Sequence, residues 1–103
     1  MSNDSPAAEE QERTVLVEQH GVTCWKERVP SSSSGVLHRD PLSSITVVLS
    51  GGPVEILDEH DRLVSRTRLM TGQVIRGGEL PTPYRLHNLA DRDLVLVVIH
   101  LTD

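Results

Sequence analysis

The 103-residue chain contains no phenylalanine and only one tryptophan, one tyrosine and one cysteine. Aromatics make up 2% of residues and apolar residues 37%, so a core must be assembled from valine, leucine and isoleucine. That palette favours strands over helices. A lone cysteine excludes an internal disulfide, and Cys24, set in an apolar segment, reads as a buried inert thiol. Basic residues are scarce, with 10 Lys and Arg against 15 Asp and Glu, and no basic cluster is interleaved with aromatics. Nucleic acid is therefore not an expected partner. No apolar run approaches the ~18 residues that span a bilayer, so no membrane partner is expected either. The start, SNDSPAAEEQER, lacks the basic and apolar stretches of a secretion signal, and the expected location is cytoplasmic.

Helical periodicity is missing too: nowhere do apolar residues recur at i, i+3, i+4 spacing over three turns. What replaces it is alternation. Residues 1–12 are polar and acidic and read as a disordered tail, leaving 13–103 as one domain. Arg13–Gln19 alternates around Val15 and Val17, and His20-Gly21 turns the chain into Val22–Val29, with Trp25 and Val29 on one face. Pro30 and Ser31–Ser34 form a solvated loop. Ile45–Leu49 is a β-branched run closed by Gly51-Gly52. Pro53–Leu57 and Arg62–Leu69 make a hairpin across the charged turn 58–61. Arg66 and Arg68 lie on its solvated face, and His60 is exposed in the turn. Gln73–Arg76 and Tyr84–Asn88 are short strands, and Leu94–Leu101 reads as a strand buried on both faces. Eight to ten short strands with regular turn signals predict an all-β sandwich or barrel.

The stretch 35–52, GVLHRDPLSSITVVLSGG, carries the candidate chemistry. His38 and Asp40 stand two apart, so an extended backbone points both side chains the same way. His87 alternates away from Tyr84, Leu86 and Asn88, and Asn88 has an alternative role in satisfying backbone groups at a strand end.

From about Val22 to Leu101 the chain resembles a single-domain cupin, a jelly-roll barrel. The family's first motif has two histidines separated by one residue, a glutamate four residues on, and a glycine after six more. His38, Asp40, Ser44 and Gly51 keep that spacing. The second motif opens with a glycine and ends in a histidine followed four residues later by asparagine. Gly72, Tyr84 and Asn88 occupy those places, with Leu80-Pro81-Thr82-Pro83 where the family has a proline-glycine turn. In metal-binding cupins the two histidines, the glutamate and the late histidine hold iron, manganese, nickel or zinc. Only His38 keeps the expected residue type here, so the resemblance implies a barrel without the usual metal. The alternative is a divalent ion held by His38 and Asp40.

The resemblance also implies that His38, Asp40 and Tyr84 converge as acid–base residues on one cavity wall. Trp25, Leu42, Ser44, Val48, Leu86 and Asn88 would line it. Three functions compete. The first is a metal-free barrel binding a small molecule, working as an isomerase, cyclase or lyase on a small organic acid, ketone or sugar-like substrate. The second is a metal-dependent lyase or dioxygenase with an altered ligand set. The third is a non-catalytic sensor or structural barrel. A homodimer is expected, because Arg13–Gln19 would otherwise present an open strand edge.

Overall fold

The structure, a computed structural model, describes residues 13–101; the segment read as a disordered tail lies outside the described residues. The described residues contain no helix. Eight strands succeed one another: β1 (Arg13–Gln19), β2 (Val22–Val29), β3 (Ile45–Ser50), β4 (Gly52–Leu57), β5 (Leu63–Leu69), β6 (Val74–Arg76), β7 (Arg85–Asn88) and β8 (Leu94–Leu101). They form a five-stranded sheet in the order β1-β2-β8-β3-β6 and a three-stranded sheet in the order β5-β4-β7, every pairing antiparallel. This is the all-β barrel that the alternating pattern predicts, with each expected strand present to within about a residue.

Turn chemistry sets the joints. His20 and Gly21 both have positive φ (53° and 79°), the conformation of a two-residue hairpin whose twist matches its strands. Gly51 carries the chain from the five-stranded sheet into the three-stranded one. A Cβ there would collide with the Leu69 carbonyl, so the crossing requires glycine.

Between the sheets lies an aliphatic core: Val29, Val48, Leu94 and Leu96 from one, Val54, Ile56, Leu69 and Leu86 from the other. Each such side chain, fully buried, contributes about 1.5–3 kcal/mol.

Three local expectations differ from what the chain does. The loop expected at Pro30 and Ser31–Ser34 is tied along one side rather than free, and the chain after it continues that pairing as far as His38. Ser32 donates to the Asn88 carbonyl, Gly35 to that of Leu86, and His38 exchanges backbone bonds with Tyr84, so the segment runs along β7 as a ragged fourth strand. β8 is buried on one face only. Leu94, Leu96 and Val98 enter the core, while Val95, Val97 and Ile99 are half-covered on the outside. Cys24 follows that outer face and is half-buried rather than enclosed.

Candidate functional site

Alternation also brings charge inside. On β2 the buried face runs Trp25, Glu27, Val29, so a carboxylate stands where an aliphatic side chain would continue the core. It is not left alone. Glu27 Oε2 accepts the Val36 backbone N–H at 3.0 Å, and Oε1 lies 2.7 Å from His38 Nε2. The other His38 nitrogen, Nδ1, is 3.0 Å from Asp40 Oδ2. Tyr84 donates its hydroxyl to the same Asp40 oxygen at 3.3 Å, and its ring stacks on the imidazole with centroids 4.9 Å apart. Asp40 Oδ1 takes the Nε2 of His100, on β8, at 2.9 Å. Four segments distant in sequence thus meet in one buried chain: Glu27, His38, Asp40, His100, with Tyr84 alongside.

A neutral imidazole carries one N–H and would turn a bare nitrogen lone pair toward one of the two carboxylates. Only the imidazolium donates to both. Burial pulls the His38 pKa down, but the bonds from Asp40 and Glu27 and their charges outweigh it and raise it to about 9. Burial pushes Asp40 upward, yet the His38 bond and charge, seconded by His100, bring it down to about 2. Burial, followed by the Asp40 charge, holds the Tyr84 hydroxyl well above its ordinary range, so it remains a proton donor.

The structure therefore brings His38, Asp40 and Tyr84 together, and it places the other site residues as follows. Ser44 lines a void of about 10 Å³ beside Asp40, Thr46 and Tyr84, the size of one water molecule. Gly77 pins that corner: a Cβ on it would strike the Pro41 carbonyl, and its N–H bonds the Ser44 carbonyl at 2.9 Å. Val48 and Leu86 are core residues. Asn88 is spent on the backbone. Its amide donates to the Val29 and Arg92 carbonyls (3.0 and 2.7 Å) and its oxygen accepts from Ala90 N–H at 2.9 Å. Trp25 stands beside His100 rather than His38, ring centroids 4.6 Å apart, with the Arg13 guanidinium 4.1 Å above the indole. Leu42, expected in the lining, is 82% exposed, because the turn after Pro41 throws it outward.

Two members of the buried chain, Glu27 and His100, lie outside the residues singled out from the sequence. Their signal was there in period two. Glu27 falls in register with Trp25 and Val29, and His100 with Leu94, Leu96 and Val98, each a titratable group on a core-facing row.

The four positions that the cupin resemblance assigns to a metal are His38, Asp40, Ser44 and Tyr84. Both His38 nitrogens face carboxylates, both Asp40 oxygens face donors, Ser44 is a neutral hydroxyl and Tyr84 keeps its proton. No lone pair of nitrogen is turned toward a shared centre, and among the described residues no group of three or more His, Cys, Asp or Glu is arranged to hold an ion. This donor set does not fit a transition metal.

Space for a ligand lies next door. Ser65 and Thr67 of β5 share the inward row with Val54 and Ile56, yet no strand of the other sheet covers them. A cleft of about 430 Å³ opens there between β5 and β6, lined by Ser65, Thr67, Gln73, Glu79, Ile75 and Leu80 among others. Ile75 and Leu80 border both this cleft and the water-sized void at Asp40, so they form the wall between them.

No protein-family model and no curated protein sequence matches this chain. Solved structures do. A cupin domain from Bordetella pertussis Tohama I superposes with a TM-score of 0.70 at 20% identity, over 88% of this chain and 92% of that one. The cupin domain of an XRE family transcriptional regulator from Enterobacter cloacae gives 0.58 at 18% identity, over 88% and 96%. A sugar phosphate isomerase of the cupin superfamily from Silicibacter pomeroyi gives 0.61 at 12% identity, over 93% of this chain and 63% of that one. Likeness at these identities establishes the fold: the chain is a cupin barrel in architecture.

Proposed function

We propose that this cupin barrel binds a small polar organic molecule without a resident transition metal, and that its ligand enters the cleft between β5 and β6. One observation carries the metal-free part: the ring of His38 is clamped between Glu27 and Asp40 through both nitrogens. An imidazolium held by two carboxylates stands where the resemblance would put an ion, and its charge is already neutralised by its own clamp. The cleft carries the ligand part. Its ~430 Å³ suits a small metabolite, and its mixture of hydroxyl, amide and carboxylate groups over an aliphatic floor suits a polyol or hydroxy acid.

In this reading His38 is a fixed cation and a support. With His38 held protonated and Asp40 ionised near neutral pH, neither is matched to proton transfer there. The fold's relatives include both an isomerase and a regulator's domain, so architecture does not choose between catalysis and sensing. A second reading has one observation in its favour. His100 is the member of the chain that reaches solvent, with its side chain 21% exposed and its Nε2 oriented by Asp40. Acid–base turnover, if this barrel performs it, runs through His100.

The test has two parts. Metal analysis of purified protein should find no stoichiometric Fe, Mn, Ni or Zn; such an ion, lost on His38→Ala, would overturn the metal-free reading. A thermal-shift screen of small polyols and organic acids should give hits that Thr67→Trp abolishes by filling the cleft. Hits that survive Thr67→Trp place the ligand elsewhere. Conversion of a hit by wild type but not by His100→Gln would establish the second reading.

A further inference from the structure

The inner face of the five-stranded sheet loses its cover at β1. Partners in register share a face, so one lateral row reads Thr46, Val98, Trp25, Val15 from the middle of the sheet to its edge. The first three are buried, at 3%, 0% and 9% exposure, whereas Val15 is 60% exposed. Core packing therefore stops at Trp25, and β1 carries the same face onward as a ledge. A groove of about 310 Å³ lies on this ledge, lined by Arg13, Val15, Thr23 and Trp25. It shares no lining residue with the cleft between β5 and β6 or with the void at Asp40. Its volume is at the small end of ligand cavities.

We propose that this groove is a second binding site, and that it takes a small organic carboxylate with an apolar body, such as an aryl carboxylate. Polar groups set the charge of the ligand. The Arg13 guanidinium lies 4.1 Å over the centroid of the indole. A guanidinium held against a ring in this way keeps its rigid fork of N–H groups, which matches the two oxygens of a carboxylate. The Trp25 indole N–H is enclosed and has no acceptor among the described residues, in a side chain nine-tenths buried. A buried donor left unpaired costs stability, and a ligand oxygen that accepts from it recovers that cost. Thr23 adds a hydroxyl to the lining. His100, its neighbour in register on β8, meets the indole edge-on. Every one of these groups can donate a hydrogen bond. Two carboxylates stand in the same rows. Glu27, opposite Arg13, is bonded to the Val36 N–H and to His38, and Glu18, opposite Thr23, is exposed at the rim. Apolar surface sets the body of the ligand: Val15 and Trp25 give the groove a wall against which a ring packs. The site is independent of the metal-free reading, since neither the cleft nor the His38 clamp contributes a wall to it.

Trp25 is the only tryptophan, so the isotope-labelled full chain gives a single indole N–H cross-peak in its NMR spectrum. Benzoate should move that cross-peak downfield, as a new hydrogen bond does, and saturate with a Kd of about 1 mM or below. Benzamide, alike in shape but uncharged, should bind wild type at least ~10-fold more weakly. Arg13→Gln should raise the benzoate Kd at least ~10-fold, with the fold followed by circular dichroism. Arg68→Gln, which removes the same charge from an exposed position on β5, should leave that Kd unchanged. The benzamide comparison uses wild type alone and so does not depend on how any variant folds. A cross-peak unmoved by benzoate up to about 20 mM overturns the proposal, as does equal binding of benzamide. So does an Arg13→Gln chain that binds benzoate as wild type does. A cross-peak that moves with protein concentration before benzoate is added assigns the groove to a second copy and overturns the proposal too.

Discussion

The inside and the outside of the five-stranded sheet break the usual rule in opposite senses. Its inner face carries Glu27 and His100 into the barrel, and its outer face presents valine, isoleucine and leucine to solvent. The inner anomaly is closed within the chain. Each charge there has a partner at 2.7–3.0 Å, and the network ends at His100, where solvent begins. The outer anomaly has no partner among the described residues. Polar groups placed inside must be satisfied locally or the fold fails; apolar groups placed outside can wait for another molecule. The inner face is thus a condition of folding, and the outer face is not.

The sharpest way to break this contrast is to remove one arm of the inner clamp. Glu27→Leu leaves a buried imidazolium with one carboxylate instead of two and should cost about 3–5 kcal/mol in urea unfolding. The double variant Glu27→Leu, His38→Leu should recover none of that loss, since Asp40 then loses the His38 partner of its Oδ2.

Next in size is pH. A His38 pKa raised from 6.5 to about 9 contributes stability that is complete below pH 6.5 and is lost as pH rises through 9. At 1.36 kcal/mol per unit, stability should fall by about 3 kcal/mol over that window. The fall should vanish in His38→Gln. Asp40, lowered from 3.8 to about 2, acts at the other end: its contribution is present above pH 3.8 and disappears as pH drops through 2. The two effects share one hydrogen bond, so they are not additive.

Asn88→Ala should cost about 2 kcal/mol, because three backbone groups lose their partner at the junction of β7 and the turn after it. The smallest effect belongs to the outer face. Val74→Thr should change the stability of the chain by less than about 0.5 kcal/mol. A large loss of monomer stability there would mean the outer rows serve the fold as well, and the contrast would dissolve.

This division also explains what the sequence disclosed. Strand positions were legible almost to the residue, because period two and the turn residues at 20–21, 51–52 and 58–61 act locally. His38 and Asp40 were legible as a pair for the same reason: their spacing is short. Glu27 and His100 join them from 11 and 60 positions away, distances over which no pattern in a single chain reports contact. Their inward register was readable, their meeting was not. The error on β8 has a different origin. A row of valines on a strand's second face reads as buried from composition alone, whereas the folded chain leaves that face half-covered.

Trp25 turns one of these contacts into a signal. It is the only indole in the chain, and the edge of His100 meets it at 4.6 Å between centroids. A neighbouring imidazole quenches indole emission. The intrinsic fluorescence of this protein therefore reports, with no dye attached, whether the His100 arm is seated on Asp40.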